Sequence, residues 1–367
     1  MGIKAVVPIP HDRLEALLGW FDLHARDLPW RRTKDPYAIW VSEIMLQQTQ
    51  VKTVIPFWLR WMKTFPTIAA LAEAEPAEVL KLWQGLGYYS RARNLQKGAQ
   101  LILATFDGRF PDRLEEMLSL PGVGRYTAGA IGSIAFNHPL PIVDGNIVRV
   151  ITRFLGITQP AKSASVQKKL WQVATELSAS APLQRHGDFN QALMELGATV
   201  CTPRQPICAH CPWKSSCRAS NKVGVDKIPN LEPTVKPTHR WFVAAVIQQE
   251  NRWLVRQRPE DEVNGGFWEL PVWEIDSRTI GPARLAQELG SHIRWDLRGT
   301  VKHTITRYRM TVDFYAPQIL NGKEVDRLHR SIPAGRWVSD AELSTLPLVN
   351  SHSKALRQNL WHKPLED

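Results

Sequence analysis

The cysteines constrain this chain most: all four lie between positions 201 and 217, as Cys201, Cys208, Cys211 and Cys217, spaced C-x6-C-x2-C-x5-C. A chain of 367 residues seldom gathers all its cysteine into one loop without a chemical reason. The opening residues Met1-Gly2-Ile3-Lys4-Ala5-Val6 lack the basic-then-apolar order of a secretory leader, and Val6 is not the Ser or Thr of a myristoylation site. Disulfides are therefore not expected, and the expected compartment is the cytoplasm, beside the nucleoid in a bacterium. Four thiolates converging on one loop suit zinc or an iron–sulfur cluster. Zinc sites usually draw on two close pairs, whereas here only one pair is close and the other gaps are six and five residues.

Charge narrows the partners. Lys plus Arg outnumber Asp plus Glu by 46 to 35, a formal charge of +11. That field attracts polyanions and puts nucleic acid first. The longest uncharged run, Tyr126 to Val143, contains Asn137, His138, Pro139 and Pro141 and cannot cross a membrane.

The pattern predicts two domains, since a single core seldom grows past ~250–300 residues. Residues 1–224 read as helical. Asp35-Pro36 is an N-cap followed by proline at the first helical position, with apolar residues recurring at Ile39, Trp40, Ile44 and Leu46. Further helices are expected near 67–74, 76–84, 90–106, 113–119, 126–136, 146–155, 165–178 and 189–197. Residues 225–239 hold three prolines and read as a linker. From 240 to 367 the pattern is α+β: strands near 241–247 and 253–258 joined across Glu250-Asn251, an alternating strand 308–315, and helices near 282–289 and 351–360.

Two segments carry chemistry. Leu120-Pro121-Gly122-Val123-Gly124 lies between helices, and its glycines permit a tight turn and close approach by another molecule. The helix that follows aims its N-terminus outward, a geometry that binds phosphate without reading sequence. About twenty residues later, Asp144 in Ile142-Val143-Asp144-Gly145-Asn146 stands at a helix start, where aspartate is a frequent N-cap.

Hairpin, aspartate and cysteine loop, in this order over about the first 220 residues, resemble the endonuclease III superfamily of DNA repair glycosylases. The resemblance implies an all-α helix-hairpin-helix domain, a [4Fe–4S] cluster on Cys201, Cys208, Cys211 and Cys217, phosphate contacts at Gly122, Val123 and Gly124, and an essential Asp144. An ionised carboxylate there stabilises the oxocarbenium-like sugar that forms when an N-glycosidic bond breaks, or traps it covalently. Helix N–H groups would favour the charged form of Asp144. Bifunctional superfamily members carry a Schiff-base lysine where this chain has Tyr126, and a phenol forms no imine. The resemblance thus narrows to the adenine DNA glycosylases (MutY type), monofunctional enzymes that leave an abasic site.

That family has a second signature, present as Val41-Ser42-Glu43-Ile44-Met45-Leu46-Gln47-Gln48-Thr49-Gln50. Adenine leaves poorly as an anion, so a general acid should protonate its N7. A carboxyl doing so near neutral pH must titrate roughly 2–3 pH units above its ordinary ~4.3, through apolar burial. The resemblance makes Glu43 that acid, Asp144 the oxocarbenium partner, and Tyr126 and Asn146 supports to Asp144. The target base must also leave the duplex. By resemblance Gln48 wedges into the stack, Tyr88 stacks beside the orphaned base, and Thr49 and Leu86 lie against the oxidised guanine. Arg31 touches the DNA, and Trp30, Gln191 and Met194 wall the adenine pocket.

The C-terminal part looks like a Nudix fold, from Gly265-Gly266-Phe267-Trp268-Glu269-Leu270-Pro271 and Ala283-Arg284-Leu285-Ala286-Gln287-Glu288-Leu289-Gly290. One surviving helix carboxylate is too few to hold magnesium, so hydrolysis is not expected. In the family this domain inspects the oxidised guanine. Its recognition loop commonly reads Phe-Ser-His, and of Val301-Lys302-His303-Thr304 only His303 matches. The expected partner is double-stranded DNA with an adenine mispair, bound by a monomer. Two alternatives stand beside this reading: a bifunctional pyrimidine glycosylase/lyase, and a non-catalytic DNA-binding iron–sulfur protein.

Overall fold

The computed structural model describes residues 11–231, 236–259, 262–305, 307–318, 322–358 and 360. The opening residues 1–10 lie outside the described residues, as do 232–235 of the expected linker and 359 of the last expected helix. No helix of the described residues is long and apolar enough to cross a membrane.

The chain divides into two compact units. The first holds the residues up to Glu73 and those from Asn94 to the expected linker. The second holds Ala74–Arg93 and the described residues from 236 onward. The expectation of one uninterrupted domain over 1–224 is thus modified, because a helix and turn in the middle of it group with the C-terminal part. Their contacts explain why: the Lys81 ammonium donates to the carbonyls of Ser344 and Leu346, and Gln84 Nε2 donates to that of Leu348 at 2.7 Å.

The first unit is helical. Asp35 caps the helix Pro36–Leu46, its carboxylate accepting from the N–H groups of Tyr37 and Ala38. Helices Leu114–Ser119, Arg125–Ile134, Gly145–Leu155, Ala164–Ser180 and His186–Thr199 fall where periodicity places them. Val51–Thr64 was not expected, because Pro56 lies inside it; the buried face of Val54, Trp58 and Trp61 holds it nonetheless. His11–His24, also not expected, buries Leu14 and Leu17.

The expected linker is partly structured. Ile228 is buried, Asn230 O accepts from Ala161 N at 2.9 Å, and Arg153 Nε donates to the carbonyls of Val225 and Ile228. One apolar side chain and one guanidinium therefore pin residues 225–230 to the first unit.

In the second unit, strands Val272–Ile275, Thr238–Ala245, Tyr308–Pro317 and Trp295–Ile305 form one sheet in that order. Thr238–Ala245 runs parallel to Tyr308–Pro317, and the other neighbours are antiparallel. The expected hairpin across Glu250-Asn251 is corrected. That turn, with both residues at positive φ, joins Gln248–Gln249 to Arg252–Gln257 in a second sheet. The run from Val243 to Ile247 is apolar on both sides, so it serves as an interior strand rather than a hairpin arm. Val243, Ala245 and Ile247 enter one core while Ala244 and Val246 enter the other. Helix Gly281–Leu289 covers the first of these through Leu285 and Leu289. Its surviving Glu288 is paired with Arg284 at 2.7 Å, which further disfavours metal binding.

Candidate active site

A cavity of about 520 Å³ opens in the first unit, lined by residues from five α-helices and the segments beside them. Glu43 enters from the helix Pro36–Leu46, Tyr126 from Arg125–Ile134, and Asp144 from the start of Gly145–Leu155. Arg31, Trp30, Gln48, Thr49, Asn146, Gln191 and Met194 line the same cavity.

The two carboxyls have opposed surroundings. Glu43 is only 5% exposed, on a helix whose neighbouring residues Ser42, Ile44 and Met45 are also buried. Burial pushes its pKa up to about 7. The hydrogen bond from Tyr126 Oη, at 2.9 Å to Oε2, opposes that rise, the Asp144 charge adds to it and the Arg31 charge subtracts. Asp144 instead accepts two hydrogen bonds: Ile147 N donates to Oδ1 at 2.7 Å and Asn146 Nδ2 to Oδ2 at 2.9 Å. The cap and the cavity-lining carboxylate are one side chain.

Tyr126 departs from expectation. The Asn146 amide donates to Asp144, whereas the Tyr126 hydroxyl donates to Glu43 and also lies 3.3 Å from Met194 Sδ. Burial beside two carboxyls raises the phenol well above its ordinary pKa, so it remains a neutral donor. Arg31 is largely buried in the cavity wall, with Nη2 donating to Glu195 Oε2 at 2.8 Å.

Sequence reasoning missed Glu195, Arg26, Arg149 and Gly197 here. Glu195, fully buried, receives Arg26 Nε at 2.6 Å and Nη2 at 2.8 Å besides Arg31. A glutamate inside the apolar run Ala192-Leu193-Met194-Glu195-Leu196 was the available signal for this carboxylate and its two guanidiniums. Arg149 donates through Nη2 to Asn146 Oδ1 and Gly197 O, both at 2.7 Å, and through Nε to Cys201 O at 2.6 Å. That guanidinium fixes which end of the Asn146 amide faces Asp144, and ties it to the cysteine loop. Gly197 permits the approach, since a Cβ there would lie 2.6 Å from Asn146 Cβ.

The remaining expected residues separate. Gln48, exposed at the cavity rim, has φ +56, a left-handed conformation that a side chain adopts only where its surroundings impose it. In the hairpin, Gly122 has φ +76 and a Cβ would meet Asn94, whereas Gly124 faces open space. The Val123 side chain is buried and its N–H donates to Leu120 O, leaving the glycine backbone as the accessible part of that turn. Leu86, Tyr88 and His303 line a different cavity, of about 240 Å³, within the second unit. Tyr88 has φ +49 and is 39% exposed; His303 Nδ1 is buried with no hydrogen-bond partner among the described residues.

The four cysteines are free of disulfides and half-buried. Burial pushes Cys211 up to about 12, and Cys201, Cys217 and Cys208 each raise it further. Among the described residues no group of three His, Cys, Asp or Glu is arranged to hold a metal ion. The donor set nevertheless fits thiolate ligation: four sulfurs lie in one loop, burial and neighbouring thiols push Cys211 and Cys217 up, and a cationic centre would favour the thiolates. Arg153 anchors this loop, donating to Thr202 O at 2.7 Å and Pro203 O at 3.1 Å.

Comparison with known proteins agrees with this geometry. Residues 41–176 match the HhH-GPD superfamily of base excision DNA repair proteins, and residues 242–358 match the NUDIX domain. The chain is thus a base-excision-repair protein of the helix-hairpin-helix class, extended by a Nudix-like domain. It is 36% identical to the human adenine DNA glycosylase, over 95% of this chain and 74% of the human protein. It is 39% identical to that of Buchnera aphidicola subsp. Acyrthosiphon pisum, over 68% of this chain and 71% of that protein. The chain belongs to the adenine DNA glycosylase family. Among solved structures, a thermostable thymine-DNA glycosylase superposes with a TM-score of 0.52 at 30% identity, covering 57% of this chain and 95% of that one.

Proposed function

We propose that the protein is a monofunctional glycosylase that removes adenine mispaired with 8-oxoguanine or guanine and leaves an abasic site. The observation that carries the reading is a single cavity lined by both a carboxyl titrating near 7 and a helix-capping carboxylate. Glu43 gives its proton to adenine N7, the C1′–N9 bond breaks, and the bonding pair leaves with the base. Asp144 faces the positive charge left on the sugar, and water then adds at C1′. Asn146 orients Asp144, while Tyr126 steadies Glu43 and supplies no amine for an imine. Trp30, Arg31, Gln191 and Met194 hold the extruded base, with Arg26 and Glu195 offering it donors and an acceptor. Since all these groups come from one chain, a monomer suffices.

Gln48 fills the vacated stack, Thr49 flanks it, and the Gly122–Gly124 turn seats a phosphate. The Leu86, Tyr88 and His303 cavity receives the base opposite, where the unpartnered His303 Nδ1 is open to a hydrogen bond. Cys201, Cys208, Cys211 and Cys217 would hold a [4Fe–4S] cluster, which supplies a rigid cross-link for the loop.

The test is single-turnover incubation of duplexes carrying adenine opposite 8-oxoguanine, guanine or thymine, with and without alkali. Base loss should be fastest from the first duplex, with strand breaks only after alkali. Spontaneous breakage trapped by borohydride would overturn the reading in favour of a lyase.

A further inference from the structure

The turn that carries Tyr88 is held by the second unit. Tyr89, its neighbour, lays its ring against Phe267 with centroids 4.1 Å apart, and Phe267 is wholly buried in the Nudix-like fold. Arg93 Nη1 donates to Gly265 O at 2.9 Å, two residues from Phe267. On the near side, Arg91 gathers the turn's carbonyls: Nη2 reaches Leu86 O at 3.2 Å and Gly87 O at 2.9 Å, and Trp83 Nε1 donates to Gly87 O at 3.1 Å. Gly85, Gly87 and Tyr88 all have positive φ, and Tyr88 is the one among them with a side chain that resists it. Such a conformation persists only where its surroundings over-determine it.

We propose that Tyr89 and Phe267 are positioning residues: their rings, in contact at a tilt, let the Nudix-like unit hold Tyr88 in its left-handed turn, and so set discrimination of the base opposite adenine. The proposal rests on the reading of Tyr88 as a contact to that base. Neither ring needs to touch DNA. The Nudix-like unit then contributes to specificity twice, by lining the cavity with His303 and by aiming Tyr88 into it.

The experiment is a double-mutant cycle on single-turnover excision, read as the rate opposite 8-oxoguanine divided by the rate opposite guanine. Tyr88→Ala should lower this ratio at least tenfold. Tyr89→Leu should lower it by a similar factor, and the double variant should be no worse than Tyr88→Ala alone, because both remove the same contact. Tyr89→Phe, which keeps the ring, should retain the ratio. Thermal melting of each variant separates this from general loosening: a merely structural Tyr89 would lower the melting temperature and leave the ratio unchanged. A Tyr89→Leu ratio equal to wild type, or losses that multiply in the double variant, overturns the positioning role even where Tyr88→Ala behaves as expected. If Tyr88→Ala itself leaves the ratio intact, the reading of Tyr88 fails first and the positioning role with it.

Discussion

The pH dependence of excision tests the acid directly. Glu43 titrates near 7 because burial outweighs the Tyr126 hydrogen bond and the Arg31 charge. If only the protonated carboxyl reacts, the fraction available is about half at pH 7, about a tenth at pH 8 and about a hundredth at pH 9. At an ordinary pKa near 4.5 it would already be below about 1% at pH 7. Single-turnover rates on the 8-oxoguanine duplex, measured from pH 5.5 to 9 with enzyme in excess, should therefore be level below about pH 6.5 and fall about tenfold per unit above 7.5. Tyr126→Phe removes a donor to the charged form, so the midpoint should move to higher pH. A rate that stays flat to pH 9, or one that halves near pH 5, would refute the assignment of Glu43 as the acid. The linkage to stability has a fixed sign. Between 4.5 and about 7 the folded state binds the proton that the unfolded state has released, so stability falls as pH rises through that window. The loss amounts to about 3 kcal/mol above pH 7, and Glu43→Gln should recover most of it at pH 8 and little at pH 4.5.

Asp144→Asn should abolish base loss while duplex binding and melting temperature hold, since asparagine caps a helix about as well as aspartate; unchanged excision would remove Asp144 from the chemistry. Gly197→Ala should lower excision at least tenfold, because the new methyl displaces Asn146, with a melting loss equivalent to about 1–3 kcal/mol. Full activity in that variant would show that Asn146 does not orient Asp144. Cys208→Ser should reduce the iron content of the purified protein and its melting temperature together; equal iron in variant and wild type would exclude Cys208 as a ligand. Tyr126→Lys should lose base excision at pH 7.5, because its ammonium depresses Glu43, and should gain borohydride-trappable product only on a duplex that already carries an abasic site; a variant that does neither would separate position 126 from Glu43.

Local signals carried much of this site. The spacing of Asp35-Pro36 with Ile39, Trp40 and Ile44 placed the helix that bears Glu43, and Asp144 was legible as a helix cap, while the family resemblance alone singled both out as site residues. Those signals are periodicity and capping, and both act within a few residues. Tertiary relations were not legible. The pairing of Tyr126 with Glu43 spans 83 positions and that of Arg26 with Glu195 spans 169, so no pattern along the chain announces either. The Glu250-Asn251 turn was legible as a turn, but its partner strand was not, because a run buried on both faces looks the same in any sheet. The grouping of 74–93 with the C-terminal unit rests on single side chains meeting distant backbone carbonyls, such as Gln84 with Leu348.

The buried carboxyl of Glu43 explains why a phenol, rather than an amine, stands beside it. A neutral Tyr126 donates one hydrogen bond to Glu43 and lowers its pKa only part of the way from what burial imposes. An ammonium at the same place would lie within a few ångströms of Glu43 in a water-poor cavity. An opposite charge that close depresses a carboxyl by roughly 1–3 pH units, enough to empty Glu43 of its proton at neutral pH. An amine at position 126 and a proton on Glu43 thus oppose each other, and on the proposed reading the Tyr126 phenol leaves Glu43 its proton for the departing base.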